Sequence, residues 1–334
     1  MKNIPPAWLR RTISISCVAS AWVLVVSLSP ALLLLSLATD LYRRTPWVVT
    51  RFLAYFVVFL SCELAGVAGA LLAWVVTLGG ALTELSFQLN FKLQKAWGGA
   101  LFWSLVRIFG IELKVQGRDQ LSGSPVLVLA RHVSSADSLL PTVFISRPHG
   151  IHLRFVMKEM LLWDPCLDIV GNRLPNCFVG RGSSRHEQAV GQVRSLLEGL
   201  GPHEGVAIFP EGTRFTPNRR LNTIARFRER GDEEAAQQAE SLQAVLPPRK
   251  AGVLALLAGN PGADVVFVAH AGLDTVHNVA SLMKGSLVGH TIEVEFWRVP
   301  WADIPTDDDA RMAWIWEHWR KVDAWVMARE AKAV

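Results

Sequence analysis

Residues 124–137 read Ser124-Pro-Val-Leu-Val-Leu-Ala-Arg-His132-Val-Ser-Ser-Ala-Asp137. An apolar run stops at Ala130, and a histidine and an aspartate follow five positions apart. On one continuous helix that separation turns through about 500° and leaves the two side chains some 140° apart, so they could not meet. They can meet if His132 sits in the turn after a strand and a helix begins only around Asp137 or Ser138. Pro141 agrees with a late start. With Ser138 as N-cap, Pro141 takes the third helical position, where a missing N–H costs no intrahelical bond. Asp137 then accepts a hydrogen bond from one imidazole nitrogen and fixes the tautomer, leaving the other nitrogen free to take a proton from a bound alcohol. A turn histidine satisfied by a cap carboxylate accounts for the same pair.

Downstream the texture is that of an α/β domain. Short β-rich runs at Glu112–Gln116, Val126–Ala130, Leu153–Met157, Cys177–Val179, Val206–Phe209, Val265–Ala269 and Thr291–Trp297 alternate with helical stretches at 186–199, 233–245, 250–258 and 308–330. Alternation of this kind predicts a sheet with helices packed on it. The last helix opens on Thr306-Asp307-Asp308-Asp309, a hydroxyl followed by acids, as the helix dipole prefers. Directly after the apolar strand 205–208, residues 209–214 read Phe-Pro-Glu-Gly-Thr-Arg. Proline and glycine bracketing a glutamate make a tight loop at a strand end, a usual place for ligand contacts. Glu211 can bind hydroxyls, and Arg214 can grip a phosphate through its planar fork. The basic character continues through Arg219, Arg220, Arg226, Arg228 and Arg230 against Glu229 alone. That run reads either as a solvated helix face or as a patch facing anionic lipid heads.

Upstream the composition changes. From Thr12 to Thr39 there are 28 residues without Asp, Glu, Lys or Arg, and from Phe52 to Leu82 there are 31 with one charge, Glu63. A spanning helix needs roughly 20 predominantly apolar residues, whereas a signal peptide has a core of only about 7–15. Two buried helices of a large soluble core are the alternative. Pro30 interrupts the first run, and a re-entrant hairpin competes with two full crossings. Over the whole chain of 334 residues, 19% are charged and 51% apolar, with a net charge of +5. Mean hydropathy is +0.27. That balance argues against disorder and against an ordinary soluble protein. Four cysteines, at 17, 62, 166 and 177, form no CxxC, so a disulfide scaffold and a Cys-rich zinc module are excluded. The expected organisation is an N-terminal membrane anchor over 1–84, with apolar helices at 12–39 and 52–82, followed by a catalytic domain over 85–334. Residues 91–109 read as an interfacial helix.

His132–Asp137 together with Phe209–Arg214 resembles the pair of signature motifs of the glycerolipid (lysophosphatidic acid type) acyltransferases. Arg154-Phe-Val-Met-Lys158-Glu-Met-Leu resembles the lysine-bearing segment ahead of that family's second motif, and Cys177-Phe-Val-Gly-Arg181 resembles the second motif itself. Leu246-Pro-Pro-Arg249-Lys-Ala-Gly252 and Val265–Ala269 resemble its later region. The Phe215-Thr216 pair and the tryptophan-rich end (Trp316, Trp319, Lys321, Asp323) are closest to the lysocardiolipin acyltransferase branch. The sequence departs from the pattern at Gly180, where the family carries an acid, and at Ala269-His270, where many members carry proline.

The resemblance implies the glycerolipid-acyltransferase α/β fold, a mixed sheet covered by helices behind the two-helix anchor. It also implies transfer from acyl-CoA or acyl-carrier protein to the hydroxyl of a lysophospholipid, with 1-acyl-glycerol-3-phosphate giving phosphatidic acid. Lysophosphatidylglycerol and lysocardiolipin are alternative acceptors. His132 would be the base and Asp137 its partner. Lys158, Arg181, Glu211, Gly212, Thr213 and Arg214 would bind substrate. No cofactor, metal or nucleic acid is expected. His149 and His152 read as loop and strand residues, because no carboxylate or cysteine completes a ligand set. Thioester donors are made in the cytosol, which places the domain on the cytosolic face, at the inner membrane in a bacterium. Three competing readings stand beside this one: a serine hydrolase using Ser134 or Ser135 (without a GxSxG elbow), a non-catalytic lipid-binding protein, and Cys177 as an acyl-carrying nucleophile rather than a buried strand thiol.

Overall fold

The computed structural model describes residues 4–123, 125–180, 186–274 and 283–333, with backbone alone at 186–189, 332 and 333. The chain divides into two compact units. One comprises Met1–Glu112, Met157–Arg181 and Asn278–His290; the other comprises Leu113–Val156, Gly182–His277 and Thr291–Val334.

Helices dominate the first unit: α1 (Ala7–Ser27), α2 (Ser29–Arg43), α3 (Val48–Val76) and α4 (Thr83–Phe109). The first apolar run is therefore two helices. They meet at Leu28, and Pro30, which has no N–H to donate, takes the second position of α2. The second run ends as helix at Val76, because Leu78, Gly79 and Gly80 turn the chain with positive φ. The helix expected over 91–109 starts earlier, at Thr83. Among the described residues, α1 and α3 are long and apolar enough to cross a membrane, with window hydropathies of 1.5 and 2.1. Glu63, the lone charge of the second run, is fully buried. It accepts from Trp97 Nε1 at 2.9 Å and from the Cys166 N–H at 3.4 Å. The carboxyl therefore faces protein donors rather than the outer surface of α3. Asp40 plays a comparable part at the α2–α3 turn. It accepts the Val49 and Thr50 N–H groups at 3.0 and 2.9 Å and so supplies the missing start of α3.

The short helix α5 (Pro165–Gly171) also belongs to this unit. Asp164 caps it by accepting from the Leu167 N–H. Asp168, fully buried, holds Arg10 of α1 through contacts of 2.6 and 3.0 Å. Arg11 reaches the same carboxylate at 3.2 Å.

Seven strands form one mixed sheet: β1 (Glu112–Gln116), β2 (Val126–Ala130), β3 (His152–Lys158), β4 (Cys177–Val179), β5 (Glu204–Ile208), β6 (Asp264–Ala271) and β7 (Thr291–Val299). Their order is β1-β7-β6-β2-β5-β3-β4. β2 lies between β5 and β6 and runs parallel to both. A strand enclosed in this way is apolar on both faces, and all five residues of β2 are buried. β7 runs antiparallel to β6 and alternates in burial along most of its length. Every expected strand is present, with ends shifted by no more than two residues.

Helices α6 (His186–Ser195), α7 (Pro217–Glu229), α8 (Glu233–Ser241), α9 (Lys250–Ala258) and α10 (Asp308–Ala333) complete the second unit. Ile315, Trp319, Val322 and Val326, spaced for one helical face, are buried, and α10 packs on β6. Its cap is Asp307, which accepts from Asp309 and Ala310 N–H at 3.1 and 3.0 Å, not the hydroxyl of Thr306. The helix expected over 233–245 stops at Ser241. Asp323 Oδ1 collects the N–H groups of Gln243, Ala244 and Val245 at 2.9, 2.6 and 3.2 Å, so these donors leave the helical pattern.

Candidate active site

Strand register assembles the site. Leu129 of β2 pairs with Ile208 of β5, so three residues beyond each, at the same edge of the sheet, stand His132 and Glu211. On the other side Ala130 pairs with Val268 of β6, which brings His270 level with the same turn. Open parallel sheets bind ligands at this carboxyl edge.

His132 lies in the turn beyond β2, as its spacing to Asp137 requires. Its Nδ1 is 2.8 Å from Asp137 Oδ1. The carboxylate's second oxygen accepts the Val133 and Ser134 N–H groups at 2.6 and 2.7 Å. Asp137 is fully buried at its side chain, and the imidazole is 12% exposed. Burial pushes the Asp137 carboxyl up. The hydrogen bond from His132, the two nearby histidines and the backbone donors outweigh it and hold the group below the usual carboxylate range. An ionised Asp137 demands a proton on Nδ1, which leaves Nε2 as the bare, basic nitrogen. Among the described residues nothing hydrogen-bonds His132 Nε2. Phe209 lies against the ring at 4.4 Å between centroids.

The helix after the turn begins at Asp137 with a 3₁₀ turn. Ser138 is inside that turn rather than capping it. The capping oxygen is Ser134 Oγ, which accepts from Ala136 and Asp137 N–H at 3.1 and 3.3 Å. After Pro141 the helix widens into a π turn over Thr142–Ser146.

The 209–214 loop is a turn closed by the Gly212 N–H on the Phe209 carbonyl at 2.9 Å. Gly212 has φ +62°, which favours glycine, and a Cβ there would have to displace the Arg249 side chain, 2.6 Å away. Glu211 is buried with both oxygens engaged by main chain: Oε1 accepts the His132 N–H at 2.9 Å and Oε2 the Leu246 N–H at 3.0 Å. The hydroxyl-binding part read for it from sequence gives way to a structural one, because its acceptors already brace the histidine turn against the 243–246 loop. Burial pushes its carboxyl up to about 8, against the pull of those two donors and Arg131. Thr213 and Arg214 follow, both part-buried, and Arg214 donates to Ser135 Oγ at 3.3 Å. Phe215 N–H closes the arrangement on the His132 carbonyl at 2.7 Å.

His132, Asp137, Glu211, Gly212, Thr213 and Arg214 thus meet at one sheet edge. Lys158 ends β3 and is counted with the first unit, and Arg181 lies outside the described residues. Cys177 is buried, and burial pushes its thiol up to about 12, which leaves it protonated and a poor nucleophile.

Several supporting residues went unread in the sequence. Arg131, fully buried, donates to the Ala244 carbonyl at 2.8 Å, the His270 carbonyl at 2.8 Å and Asp274 at 2.5 Å. Trp319 Nε1 holds the Leu246 carbonyl at 2.9 Å. A charged residue next to the motif histidine was the available signal for Arg131. Its partners lie more than a hundred residues away in sequence, beyond the reach of local spacing.

The acyltransferase family model matches residues 112–271. Among solved structures, the chain is similar to the 1-acyl-sn-glycerophosphate (LPA) acyltransferase PlsC from Thermotoga maritima. The identity is 16%, with 81% of this chain and 97% of that chain covered and a TM-score of 0.46. None of the curated proteins matches the sequence. The residues that the acyltransferase family model matches run from the first strand to the end of the sixth and contain both motifs.

Proposed function

We propose that the protein is a membrane-bound O-acyltransferase that moves an acyl chain from acyl-CoA or acyl-carrier protein to the free hydroxyl of a lysophospholipid, with 1-acyl-glycerol-3-phosphate as acceptor and phosphatidic acid as product. The observation that carries this reading is the imidazole of His132, fixed through Nδ1 by a buried carboxylate and, among the described residues, without a hydrogen bond at Nε2. Nε2 takes the acceptor's hydroxyl proton as the oxygen attacks the thioester carbonyl. Asp137 balances the imidazolium. Collapse of the tetrahedral intermediate breaks the carbon–sulfur bond, and the proton passes from His132 to the departing thiolate. General-base help of this kind supplies about 10²–10⁴-fold, and positioning of the two substrates supplies the rest.

Arg214, at the mouth of the same loop, is the group assigned to the acceptor phosphate, with Thr213 beside it. Lys158 and Arg181 are assigned to substrate by the motif resemblance. No cofactor enters the scheme. A serine hydrolase is disfavoured by Ser134, whose buried hydroxyl oxygen is occupied as a cap. Ser135 accepts from Arg214 rather than donating to His132.

The anchor supports a lipid acceptor. Leu24, Leu34, Leu35, Leu71 and Leu72 of the first three helices all stand exposed, a surface that water does not favour and acyl chains do. Thioesters made in the cytosol put the catalytic domain on that face. An in vitro assay with labelled acyl-CoA and acyl-carrier protein against a panel of lysophospholipids tests the proposal. Acylation of lysophosphatidate above lysophosphatidylglycerol and lysocardiolipin is expected. Preference for another headgroup overturns the acceptor assignment, and release of free fatty acid without transfer overturns the reaction.

A further inference from the structure

Behind the Asp137 carboxylate stands a second histidine. His270 sits near the end of β6, and its side chain is completely buried. Its Nε2 is 3.0 Å from the Arg131 carbonyl oxygen and 3.6 Å from Asp137 Oδ2. Nδ1 is buried with no hydrogen-bond partner among the described residues. A carbonyl only accepts, so the hydrogen-bond network assigns the proton to Nε2 and leaves Nδ1 bare. Burial lowers the pKa of the ring, and the Arg131 cation lowers it further. The Asp137 and Asp274 carboxylates pull the other way without reversing the result. His270 is therefore a neutral donor.

The acceptor it serves is informative. The Arg131 carbonyl belongs to the peptide whose nitrogen is that of His132. The main-chain groups next to it have their own ties. The Arg131 N–H goes to the Val268 carbonyl at 3.0 Å, the His132 N–H to Glu211 at 2.9 Å, and the His132 carbonyl takes the Phe215 N–H at 2.7 Å. Remove the His270 ring, and one buried carbonyl directly ahead of the histidine loses its donor, a loss that a dry interior does not make good. The same N–H edge also faces Asp137 Oδ2. At 3.6 Å it makes no hydrogen bond, but its positive end lies toward the carboxylate in a medium that screens little.

We propose that His270 is a positioning residue for the His132–Asp137 pair, holding the 131–132 peptide from behind and presenting its Nε2–H edge to the Asp137 carboxylate. The inference rests on the reading of His132 as the base, and the two fail separately in the test. The purified full-length protein is assayed for acyl transfer as wild type, His132→Ala, His270→Ala, His270→Gln and His270→Asn. The Gln amide nitrogen reaches the place of Nε2; the shorter Asn amide does not. Expected are a kcat loss of roughly tenfold or more in His270→Ala and His270→Asn, KM values for both substrates within about twofold of wild type, and recovery of most of the kcat in His270→Gln. The Gln–Asn comparison keeps the test valid if His270→Ala does not fold, since both variants bury an amide. Equal kcat in Gln and Asn, wild-type kcat in Ala, or a loss in KM alone overturns the positioning assignment. Wild-type turnover in His132→Ala overturns the reading beneath it instead.

Discussion

Two carboxyl groups within one loop cluster are driven in opposite directions. Asp137 receives a histidine and two backbone donors and stays ionised below its ordinary range. Glu211 is equally buried but receives only two backbone N–H groups, and its carboxyl is pushed up to about 8. Each has a measurable consequence. In Asp137→Asn the single amide oxygen stays with the Val133 and Ser134 N–H groups, and the NH₂ faces His132 Nδ1. The imidazole proton moves to Nε2, the position that must accept, and kcat should fall by about 10²–10⁴-fold with little change in KM. A steady-state assay showing unchanged kcat would sink the tautomer argument. For Glu211, between the ordinary value of 4.5 and about pH 8, the folded chain keeps a proton that the unfolded chain has released. Stability contributed through this group is full below that window and declines as pH rises through it. Glu211→Gln cannot titrate. The wild type's advantage over it in urea unfolding midpoint, measured in detergent, should therefore shrink from pH 5 to pH 8. Parallel midpoints at both pH values contradict this.

At the level of elements, the strands were readable because most are short apolar or alternating runs ended by turn residues, and a buried parallel strand such as β2 admits little else. The His132–Asp137 contact was readable because helix geometry forbids it on one helix and a turn permits it. Other features depended on distant partners. Helix α8 ends at Ser241 because Asp323, far along α10, takes the N–H groups of Gln243, Ala244 and Val245. Helix α7, in the basic run that reads either as a solvated helix face or as a lipid-facing patch, starts where Thr216 caps it by accepting the Arg219 N–H at 3.2 Å. Its Arg220 is tied to the carbonyls of Glu240 and Leu242, so the basic run is in part a packing device between α7 and α8. Glu211 read as an open ligand group because nothing local reveals that Leu246 claims its second oxygen. Packing within the first unit makes a prediction of its own. A Cβ on Gly66 of α3 would collide with Cys166 Sγ of α5. Gly66→Leu should force these helices apart and lower the thermal midpoint by several degrees, consistent with the roughly 1–3 kcal/mol of overpacking. An unchanged midpoint would mean that the two helices do not pack this closely.

For the whole molecule, the division of labour follows composition. Mostly apolar helices fill the first unit, and their buried charged groups, Arg10, Asp40, Glu63 and Asp168, all have hydrogen-bond partners within it. The residues that the acyltransferase family model matches hold six of the seven strands of the mixed sheet and the loops at its carboxyl edge. The proposed reaction asks for a base at that edge and, for a lipid acceptor, apolar helices such as α1 and α3. The central claim is that one nitrogen, Nε2 of His132, removes the acceptor's proton. Single-turnover acyl transfer by purified His132→Ala, with lysophosphatidate and acyl-CoA both saturating, measures that step directly. The account requires the rate to drop by at least about 10²-fold while lysophosphatidate binding, measured separately, is retained. A wild-type rate in that variant would contradict it.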